Sequence, residues 1–444
     1  MSSNPKIKRK RIVRRPTAAE FQFSVEQVTR ASERLAEPEW LRERRKAAWE
    51  AWESLPLPST TDEPWRRTDL RSIPADRFEA GASENGHVGH EFSRSGPSLL
   101  LRPGHDPKLA NLNEIADDRI IFADWATAVR EHTEILEKYL GAIVPDDEGK
   151  FSALAAALAT DGLLVYVPSS VQLEVPLHSM FWAPGSNLAV FSRVLIVVED
   201  GASASVVHES ASPEGEGAAL HAGTVEISVG QDAHLTFAEV QNWGDQVWNF
   251  THERAQVGSD GQMDWVFGSV GSHLTKNFSE MRLDGQGAQG RWTGIYFADG
   301  HQRLDHDTQQ NHMAPNTTSD LLFKGALVDR SRSVWQGMIY VAPGAQHTDG
   351  FQANRNLILS KRARADSIPG LEILADDVRC THGATISQLE EEPIFYLMSR
   401  GIPRERAERL VVEGFFASVM ERIPLDSVRD QFENMIDRKL SPRV

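Results

Sequence analysis

Between Gly162 and about Ile386 the chain keeps returning to one short unit, a strand ending in Gly or Asp at a turn and alternating into the next strand. Three copies are plain. They are Val197-Val198-Glu199-Asp200-Gly201-Ala202-Ser203-Ala204, Ile227-Ser228-Val229-Gly230-Gln231-Asp232-Ala233-His234 and Arg282-Leu283-Asp284-Gly285-Gln286-Gly287-Ala288. Gly201 to Gly230 is 29 residues and Gly230 to Gly261 is 31, a loose period that suits a solenoid or a sandwich. Spacing alone does not choose between them.

Helical patterns flank this region. Ser24 and Gln27 fit a capping box ahead of Val25, Val28, Ala31 and Leu35 at helical spacing. Pro38 opens a second helix with an apolar stripe of Trp40, Leu41, Ala48, Trp49 and Trp52. Asp124 is placed to cap one helix from Trp125 to Leu140, and Phe151 to Ala159 is a short Ala-rich run. After Thr385, Pro393 sits in the first turn of a helix through Ser399, and Pro403 begins another carrying Ala407, Leu410 and Val411. Asp426 is the expected cap of a last helix on which Val428, Phe432, Ile436 and Leu440 recur every four residues. That stripe fits ordinary packing and a docking face equally well.

Charge is segregated. Lys6, Lys8, Arg9, Lys10, Arg11, Arg14 and Arg15 precede any acid, so the net of −16 leaves −23 on the remainder. An acidic body is a poor nucleic-acid surface, because phosphate contacts dominate that affinity. Residues 1–18 read as a basic, solvated arm, and residues 80–97 as a polar surface loop. No apolar run approaches the length needed to cross a membrane. One cysteine excludes an intrachain disulfide framework and suits a reducing cytosol.

That cysteine, Cys380, lies two residues before His382. On a strand the two share a face, so a thiolate and an imidazole can reach one metal together. Two ligands do not close a site, since zinc and iron-sulfur clusters want about four, so the rest must come from elsewhere or from another chain. The plainer alternative is a packed thiol beside a hydrogen-bonded histidine. His301, Asp305, His306, Asp307 and His312 cluster near Trp292, but their spacing fits no common zinc pattern, and a structural role is expected. Asp376 and Asp377, if on a strand, face opposite ways and make poor acid/base partners. No phosphate-binding P-loop, nucleophile elbow or dinucleotide loop occurs.

The text around the pair is long and ordered: Phe351-Gln352-Ala353-Asn354-Arg355-Asn356-Leu357-Ile358-Leu359-Ser360, then Ala365-Asp366-Ser367-Ile368-Pro369-Gly370-Leu371-Glu372-Ile373, then Asp376 to Thr385. It continues through Phe395-Tyr396-Leu397-Met398-Ser399-Arg400-Gly401-Ile402 and Glu413-Gly414-Phe415. This series resembles the SufB/SufD family of iron-sulfur cluster assembly scaffolds, in its SufD-like branch, over roughly residues 160–420, and Glu63 to Leu70 is similar to the same pattern. The resemblance implies a mixed, mainly β fold: a right-handed parallel β-helix core at 161–386, a mainly helical N-terminal region at 19–160 and a C-terminal helical domain at 387–444.

It also implies a non-catalytic, cytoplasmic subunit that pairs with a SufB-like paralogue and a SufC-like ABC ATPase, with a homodimer open to it in isolation. ATP hydrolysis falls to the ATPase. Iron or a transient iron-sulfur cluster is shared with a partner chain, and His382 is the first expected ligand, with Cys380 second. The sulfur-accepting Cys of SufB-like chains falls in the motif that here reads Asn354 and Asn356, with no thiol. Ser387-Gln388 and Pro393 depart from the family pattern. The ATPase is expected on the C-terminal helices, with Phe395, Leu410, Phe415, Val428, Phe432 and Ile436 as contacts. The competing class is a β-helix enzyme acting on a polysaccharide or acyl substrate, and neither nucleic acid nor membrane is expected as a partner.

Overall fold

The computed structural model describes residues 20–83 and 96–441, so the basic arm and most of the loop at 80–97 lie outside the described residues. Four short strands come first: β1 (Glu79–Ala80), β2 (Ser98–Leu101), β3 (Lys108–Ala110) and β4 (Ile121–Asp124). Sixteen more build the core in two-strand turns. They are β5 (Asp161–Val167), β6 (Leu177–Trp182), β7 (Leu188–Val198), β8 (Ser203–Ala211), β9 (Ala219–Val229), β10 (His234–Asn242), β11 (Val247–Val257) and β12 (Gln262–Ser269). Next come β13 (Leu274–Leu283), β14 (Gln289–Ala298), β15 (Arg303–His312), β16 (Thr318–Leu327), β17 (Arg332–Val341), β18 (Asp349–Ile358), β19 (Arg364–Ile373) and β20 (Arg379–Gln388).

Odd strands from β5 to β19 stack in one sheet and even strands from β6 to β20 in the other, every neighbour parallel. The core is therefore a parallel β-solenoid. One turn takes 26 residues where Trp248 pairs with Leu274 and 32 where Arg332 pairs with Arg364, which is the looseness seen in the glycine spacing. Among the described residues antiparallel pairing is confined to β4 on β5 and β3 on β2, at the first turns. At the other end β19 and β20 are edge strands.

The recurring Gly and Asp have a common cause. Gly201, Asp232, Asp260, Gly287, Asn316 and His347 all have positive φ, between 51° and 74°. Each donates its N–H to a carbonyl of the following turn, Gly201 to Gln231, Asp232 to Ser259 and onward to His347 on Asp377. The left-handed region costs Gly nothing and Asp and Asn little, so the turn column selects them.

Helix α1 (Val25–Leu35) starts where the Ser24 N–H donates to Gln27 Oε1 at 2.8 Å, and α2 (Glu39–Ser54) follows Pro38. The expected single helix from Trp125 to Leu140 is two, α3 (Trp125–Glu131) and α4 (Thr133–Tyr139). Asp124 caps the first, accepting from the N–H of Ala126 and Thr127, and His132 at φ −130° leaves the helical region between them. The break keeps Ala128, Val129, Leu136 and Leu140 in one apolar cluster with Leu164 and Leu195 of the solenoid. Helix α5 (Lys150–Leu158) is buried from Phe151 onward, and its Phe151 ring stacks on Phe250 with centroids 3.7 Å apart.

Buried charges pin this region down. Arg45 pairs with Glu37 and donates to the carbonyls of Ala157 and Ala159, both at 2.8 Å. Lys276, fully buried, pairs with Asp305 at 2.9 Å and Asp307 at 3.3 Å; Thr68 donates to Asp305, and Trp65 lies near the ammonium. The Glu63–Leu70 motif is the segment docked there.

Helices α6 (Glu391–Ser399), α7 (Arg404–Met420) and α8 (Asp426–Leu440) follow the last strand. Asp426 is the first residue of α8 and Leu425 occupies the cap position, contrary to expectation. The α8 stripe is core: Val428, Phe432 and Ile436 are buried in one cluster with Val266, Ile295, Phe297 and Ala326 of the solenoid. A Cβ added to Gly268 would lie 2.0 Å from the Phe432 ring, so that glycine makes the seat.

Candidate functional site at the open end of the solenoid

Strand alternation sends every second residue into the lumen. On β18 the inward set includes Gln352, whose Nε2 crosses to the opposite sheet and donates to the Gly370 carbonyl at 2.8 Å, and Asn354, which donates to the Tyr296 hydroxyl at 3.0 Å. Strand β20 pairs in register with β18, Cys380 on Gly350 and His382 on Gln352. Both therefore occupy lumen positions of the last turn, on one face, as the two-residue spacing predicts.

What distinguishes this turn is that, among the described residues, no further turn stacks on it. His382 is exposed, and among the described residues no hydrogen bond or ion pair holds its ring. Cys380 is half-buried against the apolar cluster of Ile339 and Val341, and burial pushes its thiol above the usual range. A Cβ on Gly350 would lie 3.2 Å from the Cys380 sulfur, so the bare glycine leaves the thiol its room. Leu371, Ile373, Leu374 and Ile386 are exposed around the pair, an apolar rim on two unpaired edges.

Among the described residues no three His, Cys, Asp or Glu side chains converge as a metal site. A metal at Cys380 and His382 would draw its other ligands from outside the chain. Alternation on β15 splits the other histidine cluster: Asp305 and Asp307 face Lys276 outside the lumen, while His306 and His312 point into it. His312 is held by Thr317 and Ser319, both at 2.8 Å. Asp376 and Asp377 lie in a bend between β19 and β20 and not on a strand.

The expected partner contacts divide. Phe395 on α6 is 72% exposed, with Tyr396 and Met398 exposed beside it. Leu410 and Phe415 on α7 are half-buried, and the Phe415 carbonyl accepts from Lys324. Val428, Phe432 and Ile436 face the solenoid and offer a partner nothing. Gln352, Gly350 and Gly268 were not singled out in the sequence as site-forming; glycine inside an otherwise regular strand was the available signal for the last two.

The fold and its open end define a parallel β-solenoid protein with helices on both sheets, whose uncovered last turn presents a thiol and an imidazole. Residues 181–415 match the model of the SUF system FeS cluster assembly SufBD core domain, and residues 107–178 that of the SufBD protein N-terminal region. The chain belongs to the SufBD family of iron-sulfur cluster assembly proteins. Similar proteins of that description include one from Staphylococcus saprophyticus, 32% identical over 411 residues, covering 88% of this chain and 87% of the relative. Others come from Staphylococcus epidermidis, 31% identical over 418 residues with 90% and 89% covered, and Staphylococcus haemolyticus, 30% identical over 420 with the same coverage.

Proposed function

We propose that this chain is a SufD-like, non-catalytic scaffold subunit that pairs through the open end of its solenoid with a SufB-like paralogue in the cytoplasm. The uncovered last turn carries the reading. Edge strands β19 and β20 offer unpaired backbone groups, and the rim of Leu371, Ile373 and Ile386 supplies burial. Pairing there would cover Cys380 and His382 and bring the partner's ligands to them. The cargo is iron or a nascent iron-sulfur cluster, held transiently and shared between the two chains. A neutral imidazole is a ready iron ligand, whereas the raised thiol pKa leaves Cys380 protonated until a metal or a nearby cation lowers it.

A SufC-like ATPase is the proposed occupant of the exposed α6 surface, where Phe395, Tyr396 and Met398 project from an acidic helix start at Glu391 and Glu392. The chain has no P-loop of its own, so ATP hydrolysis is assigned to that partner. The test is co-expression with SufB-like and SufC-like chains from the same genome, followed by iron, sulfide and ATPase assays on the purified complex. A complex with iron and sulfide supports the reading. Failure of any complex to form, or turnover of a polysaccharide or acyl substrate by this chain alone, would overturn it.

A further inference from the structure

In the first half of the solenoid the lumen turns polar. The Ser192 hydroxyl lies 2.8 Å from His221 Nε2, His221 Nδ1 lies 2.6 Å from Asn249 Oδ1, and Ser179 lies 2.9 Å from His208 Nδ1. Two carboxyls meet here from opposite sheets, Glu239 on β10 and Glu253 on β11. Glu253 accepts three hydrogen bonds, from Thr251 at 2.5 Å, Asn277 at 3.0 Å and Ser279 at 2.8 Å. No lysine or arginine pairs with either carboxyl among the described residues. Burial, and then the charge of Glu253, push Glu239 well above the usual carboxyl range. Burial raises Glu253 as well, but its three donors offset part of that cost, so the proton of the pair rests on Glu239.

A narrow cavity of about 10 Å³ opens beside Glu239, bordered also by His208, His221, Gln241 and Trp243. Of the border residues whose side chains face the lumen, three keep a buried polar atom without a partner among the described residues, Glu239 Oε2, Gln241 Nε2 and Trp243 Nε1, while the fourth such atom, Thr224 Oγ1, lies on the outer face of β9. They are only 7%, 3% and 3% exposed. The set is one acceptor and two N–H donors. A metal ion would face two N–H groups, and an apolar occupant would leave all three atoms unmet. A water donates once and accepts twice, and about three hydrogen bonds is the usual number for a buried water, in about the volume this cavity offers.

We propose that the solenoid lumen is built around a single-water site, formed by Glu239, Gln241 and Trp243 and completing the hydrogen bonding of Glu239 opposite Glu253. The site belongs to the fold of this chain and is independent of any partner. Its role is positioning: it closes a polar layer that the two sheets cannot close with side chains alone.

The test has two arms on the full chain. A high-resolution crystal structure of the wild type should show one ordered water within hydrogen-bond reach of all three atoms, retained in Glu239→Gln. An empty cavity, or density with metal-ligand distances, overturns the site. Denaturant unfolding at pH 7 and pH 8 supplies the second arm. His208 and His221, with pKa values near 4, are neutral throughout this range. A neutral Glu239 loses its proton on unfolding, so the wild-type unfolding constant should rise up to tenfold across that unit relative to Glu239→Gln. Identical pH dependence in the two proteins would mean that Glu239 is already charged in the fold, and would overturn the neutral Glu239 around which the site is assigned.

Discussion

His382 sits in register on Gln352, at the exposed end of a lumen column that runs through Phe237, Trp265, Trp292 and Leu321. Trp265 and Trp292 stack with centroids 4.6 Å apart, so the lower part of the column is rigid and apolar. Gln352 is the first polar step. Its amide is fastened to two carbonyls of the opposite sheet, Gly370 at 2.8 Å and Gly337 at 3.4 Å. An exposed imidazole therefore stands on a fixed floor.

His382→Ala should leave folding intact, because the ring is exposed and has no partner among the described residues, yet lower the iron and sulfide recovered with the co-expressed complex by at least half. Cys380→Ser should match that loss if the thiol ligates and show little loss if it only packs against Ile339 and Val341. Iron and sulfide assays on complexes matched for stoichiometry decide it. Wild-type content in His382→Ala would remove the histidine from the site.

Phe432→Asp should unfold the C-terminal helices rather than uncouple a partner. The ring is 0% exposed against Gly268, and burying a charge there adds to the loss of about 3–5 kcal/mol expected for removing a packed aromatic ring. Gly268→Val attacks the same contact from the strand side. Both should lower the thermal midpoint and the helical circular dichroism signal. A variant that kept full helicity would show that α8 does not need this seat.

Phe395→Asp is the converse experiment. The side chain is exposed, so stability should change by less than about 0.5 kcal/mol. A large side chain buried at a contact contributes roughly 1.5–3 kcal/mol, so loss of the ring should weaken capture of the SufC-like ATPase by at least about tenfold. Unchanged capture would move the ATPase contact away from α6.

Much of the fold was legible because local chemistry dictated it. The Ser24–Gln27 pair, the Asp124 cap and the Gly, Asp and Asn turn column each answer to a backbone requirement that sequence displays directly. The Cys380–His382 face was legible for the same reason, since a spacing of two needs only a strand. The direction of the α8 stripe was not legible. Spacing every four residues defines a face but not what covers it, and only Gly268 on a distant strand reveals that the solenoid does. Glu239 and Glu253 were hidden by a different effect. Helical regions cover both sheets, so the outward His252 is as buried as the inward Glu253, and alternation leaves no polar/apolar contrast to read.

Acid should destabilise the chain through its lumen. Burial lowers His208, His221 and His312 to about 4 and His306 to about 3, so all four are neutral in the folded chain at pH 7. Unfolded, each titrates near 6.5. Their contribution is fully present above that value and is lost as pH falls from about 6.5 towards about 4, at up to roughly 1.4 kcal/mol per unit for each histidine. His306 offers the cleanest dissection. Both of its ring nitrogens lack a partner, and its ring lies among Phe267, Tyr296 and Phe323. His306→Phe therefore keeps an aromatic ring, removes the titration and strands no hydrogen-bonded group. Denaturant midpoints at pH 7.0, 5.5 and 4.5 should diverge, the variant holding its stability better than wild type by a margin that grows as pH falls. Parallel profiles for the two proteins would mean that His306 is already charged or solvated in the fold, and would remove it as a source of acid sensitivity.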